Sequence, residues 1–357
     1  MRIIRTDDRG EHVRDVQHRL VALGHAISPD ELEGRFGSTT LEAVRAFQHS
    51  RSLPVDGLVG PDTWGQLVEA GYRLGDRTLY LRYPFLRGDD VGELQRRLNG
   101  LGFDAGKEDG ILGRETDGAT RDFQRNVGQE IDGIVGPDTI AAMARLRPDD
   151  AATSRAVVRE AEAVRSLHAS LEGAVVAIDA GIGPGEEAVT GPSGLAEAAA
   201  TRDLAAELAA ELRGRSAVPI LVSERVDGAE LASSSERAAA ANAAGAGLCV
   251  SFQLGGPEEG CSAAYFGTES TYSPMGERLA GLLVERMSAA LDVQVSGTRR
   301  LAVSILRETR MTAVIVAPCR VLDPDDEERL RDPSFRRGVA VSVADAIEEF
   351  LGAPTST

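Results

Sequence analysis

The apolar positions change period once along the chain. Up to about residue 145 they recur at helical spacing: Val13, Val16, Leu20 and Leu23, then Leu41, Val44 and Phe47, then Trp64 and Leu67. Gly24 supplies a left-handed stop after the first of these helices, and Pro61, just after a turn glycine, suits the start of the third. Three such helices predict a small bundle. Beyond residue 173, apolar runs of strand length alternate with alanine-rich stretches. They read "AVVAID", a helix over 195–213, "VPILVSE", a helix over 235–244, "GLCVSFQ", "SAAYFG", a helix over 273–291, "TAVIVAP" and a last helix over 335–351. That alternation predicts one α/β domain over 174–352, its mostly parallel sheet covered by helices on both faces. Between the two regions, 148–173 is polar and alanine-rich, with Val157, Ala161, Val164 and Leu171 roughly on one face, and reads as a linker helix.

The helical region contains one pattern twice. "DDRGEHVRDVQHRLVALGH" (7–25) aligns with "FLRGDDVGELQRRLNGLGF" (85–103), pairing Gly10 with Gly88, Val13 with Val91, Gln17 with Gln95 and Gly24 with Gly102. "EGRFGSTTLEAVRAFQ" (33–48) aligns with "DGILGRETDGATRDFQ" (109–124), and "VDGLVGPDTWGQL" (55–67) with "IDGIVGPDTIAAM" (131–143). Two all-α three-helix modules follow, over 1–72 and 73–147, ahead of the linker, the α/β domain and a short tail over 353–357.

Composition narrows the function classes. A chain of 357 residues is long enough for two or three domains, and 42% hydrophobic with 27% charged residues suits folded cores. A net charge of -17 works against nucleic acid and anionic membranes as partners. No run is long and apolar enough to span a bilayer, so membrane insertion is not expected, and the charged start "MRIIRTDDRGEHVRDVQHRL" lacks the apolar core of a secretory signal. The expectation is a cytoplasmic protein. Cys249, Cys261 and Cys319 are odd in number and lie in or near apolar segments, so buried thiols rather than disulfides are expected.

The repeated module resembles the peptidoglycan-binding module of bacterial cell-wall hydrolases, carried by "DDVGELQRRLNGLGF", "DGILGRETDGATRDFQ" and "DGIVGPDTI". The α/β region resembles the zinc-dependent N-acetylmuramoyl-L-alanine amidases in the order of its segments. "SSERAAAANAAGAGLCVSF" is similar to the stretch that leads into that family's second histidine, and "RMTAVIVAPCRVLDPDDEERL" to its final strand and loop. The resemblance implies a zinc held by two histidines and a glutamate, with a second glutamate as general base. Such chemistry needs three protein ligands and an open position, so that bound water falls from a pKa of about 15.7 to about 7, and a carboxylate to move its proton.

Carried over position by position, that set is broken. The first histidine should follow Gly181, where Ile182 stands; the second should end "LCVSFQ", where Gln253 stands; the base should end "TAVIV", where Ala317 stands. The glutamate ligand matches Glu197, which a helix N-terminus would favour with or without a metal. The histidines are His12, His18, His25, His49 and His168, so no register shift brings one into 174–352. No catalytic residue, bound cofactor or metal is therefore expected. Asp179, Gly181, Glu197, Gln253 and Cys319 remain as candidates to line a cleft, and a substitute metal site from Glu197, Cys319 and an aspartate is the alternative.

The glycines of "GIGPG" after the first strand also suggest a dinucleotide loop. That loop should open a helix directly, whereas here Glu186 and Glu187 follow and the helix begins only near Leu195. Two readings remain. In the first the chain is a catalytically degenerate amidase homologue, as the resemblance to the CwlM-like actinobacterial proteins implies. Some of that group regulate cytoplasmic peptidoglycan precursor synthesis through protein partners; "AGYRLGDRTLY" between the modules adds to the likeness. Peptidoglycan fragments or precursors are further candidate ligands, and Thr355 to Thr357 offer phosphorylation sites whose added charge could alter docking. In the second it is an active cell-wall amidase with zinc in an atypical site.

Overall fold

The computed structural model describes residues 3–146, 155–167, 170–182, 189–222, 233–256 and 260–352. Gly183, Pro184, Gly185, Glu186 and Glu187 of the glycine loop, His168 and Thr355 to Thr357 lie outside them. The chain divides into two compact units, Ile4–Phe47 with Asp62–Arg159, and Met1–Ile3 with Gln48–Pro61 and Glu160–Thr357.

The repeats form short helices: α1 (Glu11–Ala22), α2 (Ser38–Ser50) and α3 (Pro61–Glu69), then α4 (Asp89–Gly100), α5 (Arg114–Asn126) and α6 (Pro137–Arg145). In the second copy Val91, Leu94 and Leu98 of α4 meet Phe123 of α5 and Met143 of α6 in one core. The repeated Phe-Gln and Asp-Gly pairs have a structural explanation. Phe123 is buried, while the adjacent Gln124 amide donates to Asp132 Oδ1 (2.7 Å) and the Ile134 carbonyl (3.1 Å) and accepts from the Gly133 N–H (2.9 Å). Gly133 turns at φ 73°, where a side chain is strained. Gln48 repeats the arrangement on Asp56, Leu58 and Gly57. Trp64 and Leu41, expected to face inward, are half-buried, and Trp64 lies 5.1 Å beneath the Arg19 guanidinium.

The helix α7 (Arg155–Ser166) occupies part of the expected linker. Its Val164, with Leu171 beyond it, joins the apolar core of the α/β domain. That domain runs β1 (Val175–Asp179), α8 (Glu197–Gly214), β2 (Val218–Leu221), α9 (Ser234–Ala243), β3 (Leu248–Phe252), β4 (Cys261–Phe266) and α10 (Pro274–Leu291). It continues through β5 (Val295–Leu301), α11 (Ser304–Glu308), β6 (Thr312–Ala317), α12 (Pro324–Arg331) and α13 (Pro333–Gly352). The six strands form one sheet in the order β2-β1-β3-β6-β4-β5, in which only the β4–β6 pair is antiparallel. Ile178, Val250 and Val316 point to one face and pack with Leu204 and Leu208 of α8, Leu279 and Leu283 of α10 and Val343 of α13. Alternate residues point the other way. There Asp179 pairs with Arg237 of α9 and accepts from the Ser251 hydroxyl, and Asn242 of α9 donates to the Glu308 carbonyl of α11 (2.9 Å).

Three elements carry no clear periodicity in the sequence. The strand β5 is an edge strand with alternate exposed positions and two arginines, Arg299 and Arg300, as sheet edges tend to be. The helices α11 and α12 are five and eight residues long, too short to show a repeat.

Candidate functional site

The parallel neighbours β1, β3 and β6 end on the same edge of the sheet, where open α/β folds place their ligand crevices. Phe252 pairs with Val316, and the Gln253 N–H donates to the Val316 carbonyl (3.1 Å), which sets Gln253 beside Ala317. Gly181 turns at φ 80°, and a Cβ there would lie 1.9 Å from the Phe252 carbonyl oxygen. Glycine at this place therefore lets the loop after β1 cross directly over the end of β3. It delivers Ile182, half-buried, to the same edge.

Asp179 lies below this edge. It is fully buried, with Oδ1 2.8 Å from Arg237 Nε and Oδ2 accepting from Ser251 Oγ (2.7 Å); the Gly181 N–H also donates to Oδ1 (3.1 Å). Arg237, itself fully buried, donates onward to the Gly181 carbonyl (3.2 Å). Asp179 thus braces the loop from beneath and does not line a cleft. The sequence signal for this pair is Arg237 as the only basic residue of α9.

Glu197 opens α8 and is almost wholly buried. Its Oε1 accepts from the Leu254 and Gly255 N–H groups, each at 2.8 Å, and its Oε2 from Val189 N–H at 3.4 Å. Burial pushes the carboxyl up while these donors pull it down, leaving it above the ordinary range. A second carboxylate, Glu327 of α12, holds the neighbouring loop. It accepts from Ser193 and Leu195 N–H at 2.7 Å each and pairs with Arg331 at 3.2 Å. Burial pushes Glu327 up, but those donors outweigh it and hold the carboxyl down at about 2. Glu327 lies in the quoted final-loop segment, yet nothing in its spacing distinguishes it from its acidic neighbours.

The zinc that the resemblance implies does not fit these residues. Ile182 and Ala317 offer no donor atom, Gln253 only a neutral amide, and both Glu197 oxygens already accept backbone hydrogen bonds. The substitute site is not assembled either. Cys319 lies in the bend after β6 rather than on the strand, and burial raises its thiol well above the usual value. No three of the His, Cys, Asp and Glu side chains group as metal ligands among the described residues. Gln253, Ala317 and Cys319 do share one pocket, with Ser262, Arg299 and Arg320. Its free space is about 20 Å³, room for one or two water-sized atoms.

Among the described residues, no helix is long and apolar enough to cross a membrane. Residues 176–349 match the N-acetylmuramoyl-L-alanine amidase family, and residues 9–67 and 87–143 each match a peptidoglycan binding domain. The chain is 34% identical, over 97% of its length and 88% of the relative's, to the N-acetylmuramoyl-L-alanine amidase CwlM of Mycobacterium tuberculosis (strain ATCC 25618 / H37Rv). It is 30% identical to the N-acetylmuramoyl-L-alanine amidase CwlL of Bacillus licheniformis, over 40% of this chain and 46% of that protein. Among solved structures, the N-acetylmuramyl-L-alanine amidase Ami1 of Mycobacterium smegmatis aligns with 51% of this chain and 99% of its own, at 20% identity and a TM-score of 0.45. With two peptidoglycan-binding-type modules ahead of an amidase-type α/β domain, the chain belongs to the N-acetylmuramoyl-L-alanine amidase family.

Proposed function

We propose that this family member is catalytically degenerate and works by binding, as a cytoplasmic regulatory protein of peptidoglycan synthesis that engages a protein partner. One observation carries the reading. At the strand ends where amidase chemistry needs two histidines and a base stand Ile182, Gln253 and Ala317, and the remaining ligand position, Glu197, holds backbone N–H groups instead. Without three donors a zinc-bound water is not generated, and without a carboxylate at 317 its proton has no acceptor. The frame around those positions is nonetheless built with care, through Asp179, Arg237, Gly181 and Glu327, which supports a retained binding surface. Cys249, Cys261 and Cys319 are free thiols, which suits a reducing compartment.

The second reading, an active amidase with an atypical metal site, is favoured by family membership and by the relatives' names. Incubating the intact chain with muropeptides and added zinc separates the two. No release of L-Ala-initiated peptide is expected, whereas release that follows enzyme concentration would overturn the proposal. Capture of partners by the intact chain should yield a protein of cell-wall precursor synthesis.

A further inference from the structure

The segment between the two modules leaves an apolar loop in solvent on a strongly acidic chain. Leu79 is fully buried and exchanges backbone hydrogen bonds with Val135 (3.2 and 2.8 Å). Leu86 is buried in the same core, and its carbonyl accepts the Leu112 N–H (2.9 Å). Between these two anchors all six residues are exposed, among them Tyr80, Leu81, Tyr83 and Phe85; Tyr83 is 92% exposed and meets Phe85 edge to face at 6.2 Å. The three-helix fold does not require this. The first module passes from buried Ile4 to the glycine ahead of α1 through Arg5, Thr6, Asp7, Asp8 and Arg9, none of them apolar. The loop also lies outside both stretches, 9–67 and 87–143, that match peptidoglycan binding domains. Four apolar side chains held together in water by a fixed frame mark a contact surface.

From this loop we infer that residues 80–85 are the docking site for a short acidic segment of a partner protein that also carries aliphatic side chains. The inference rests on the reading that the chain engages a protein partner, and it names the surface and the chemistry of that contact. Charge selects the partner. On a chain of net charge -17, residues 77–88 hold three arginines and no carboxylate. Arg77 is committed to Asp90 (2.7 Å), whereas Arg82 is exposed in the middle of the loop. Tyrosine, phenylalanine and arginine are the side chains that anchor protein interfaces, and a cation among them favours an acidic partner and steers its approach. Six residues span at most about 20 Å, which suits a short segment rather than a broad face. A sugar would find few polar side-chain groups there, Arg82 and two tyrosine hydroxyls, and an anionic bilayer would meet the repulsion of the whole chain.

The test titrates the intact chain into a short fluorescein-labelled peptide of alternating glutamate and leucine and follows its anisotropy. Copies with serine for leucine and with lysine for glutamate serve as controls, and chitotetraose and phosphatidylglycerol vesicles are measured beside them. The acidic, leucine-bearing peptide should bind with a dissociation constant on the order of 100 µM, more weakly as salt rises, and both altered peptides about tenfold more weakly or worse. Tyr83→Ser and Arg82→Ser, at exposed positions, should each weaken binding about tenfold, and either serves if the other does not fold. No saturable binding of the acidic peptide, folded variants of unchanged affinity, or chitotetraose or vesicles held more tightly than the peptide through Tyr83 would overturn the inference. Zinc-dependent hydrolysis of muropeptides would instead overturn the non-catalytic reading, whatever the loop binds.

Discussion

Glu197, which the amidase resemblance matches to a metal ligand, has a structural role that needs no metal. Its carboxylate is the acceptor that fixes the Leu254–Gly255 segment and Val189 to the start of α8. Glu197→Ala leaves buried donors unmet and should lower stability in denaturant unfolding by about 2 kcal/mol or more, while Glu197→Gln, which keeps an acceptor oxygen, should cost about 1 kcal/mol. An alanine variant as stable as the parent would remove this structural role. Glu327 makes a prediction about pH. Its folded carboxyl sits at about 2 against an ordinary 4.5, so its stabilising contribution is complete above 4.5 and is lost as pH falls toward 2. Thermal midpoints measured across that window should fall more steeply for the parent than for Glu327→Gln, so that the gap between them narrows in acid. A gap independent of pH would show that the carboxylate is not held in this way.

At the scale of elements, the buried Asp179–Arg237 pair joins β1 to α9 and props the loop that carries Ile182. Asp179→Asn removes one charge and leaves the other buried without its counter-ion, which should cost about 3–5 kcal/mol. Combining it with Arg237→Met should recover part of that loss in a double-mutant cycle; strictly additive losses would mean the two side chains do not act together. The longer helices and the central strands were legible in the sequence because each buries a continuous apolar face. The edge strand β5 was not, because only half of it is covered, and Arg299 and Arg300 disguise it as a loop. That Gln253 and Ala317 end neighbouring strands was legible from the apolar runs that precede them. What Glu197, Asp179 and Glu327 do there was not, since a carboxylate that accepts backbone N–H groups looks in sequence like any other carboxylate.

For the whole molecule, two helical modules and an amidase-type sheet are each built by the rules of their families, and Ile182, Gln253 and Ala317 stand at the strand ends. The modules' shared signature belongs largely to folding, since Gln124 and Gln48 tie Asp-Gly turns and Phe123 and Phe47 fill cores. The sheet edge has the glycine crossing at Gly181 and the carboxylate clamps at Glu197 and Glu327, and Gln253 and Ala317 line a small pocket there. The most direct test is the zinc content of the purified intact chain after equilibration with the metal and removal of the excess. Far less than one zinc per chain is expected, with no difference between the parent and Glu197→Gln; one tightly held zinc per chain, lost in Glu197→Gln, would contradict a binding protein that has given up amidase chemistry.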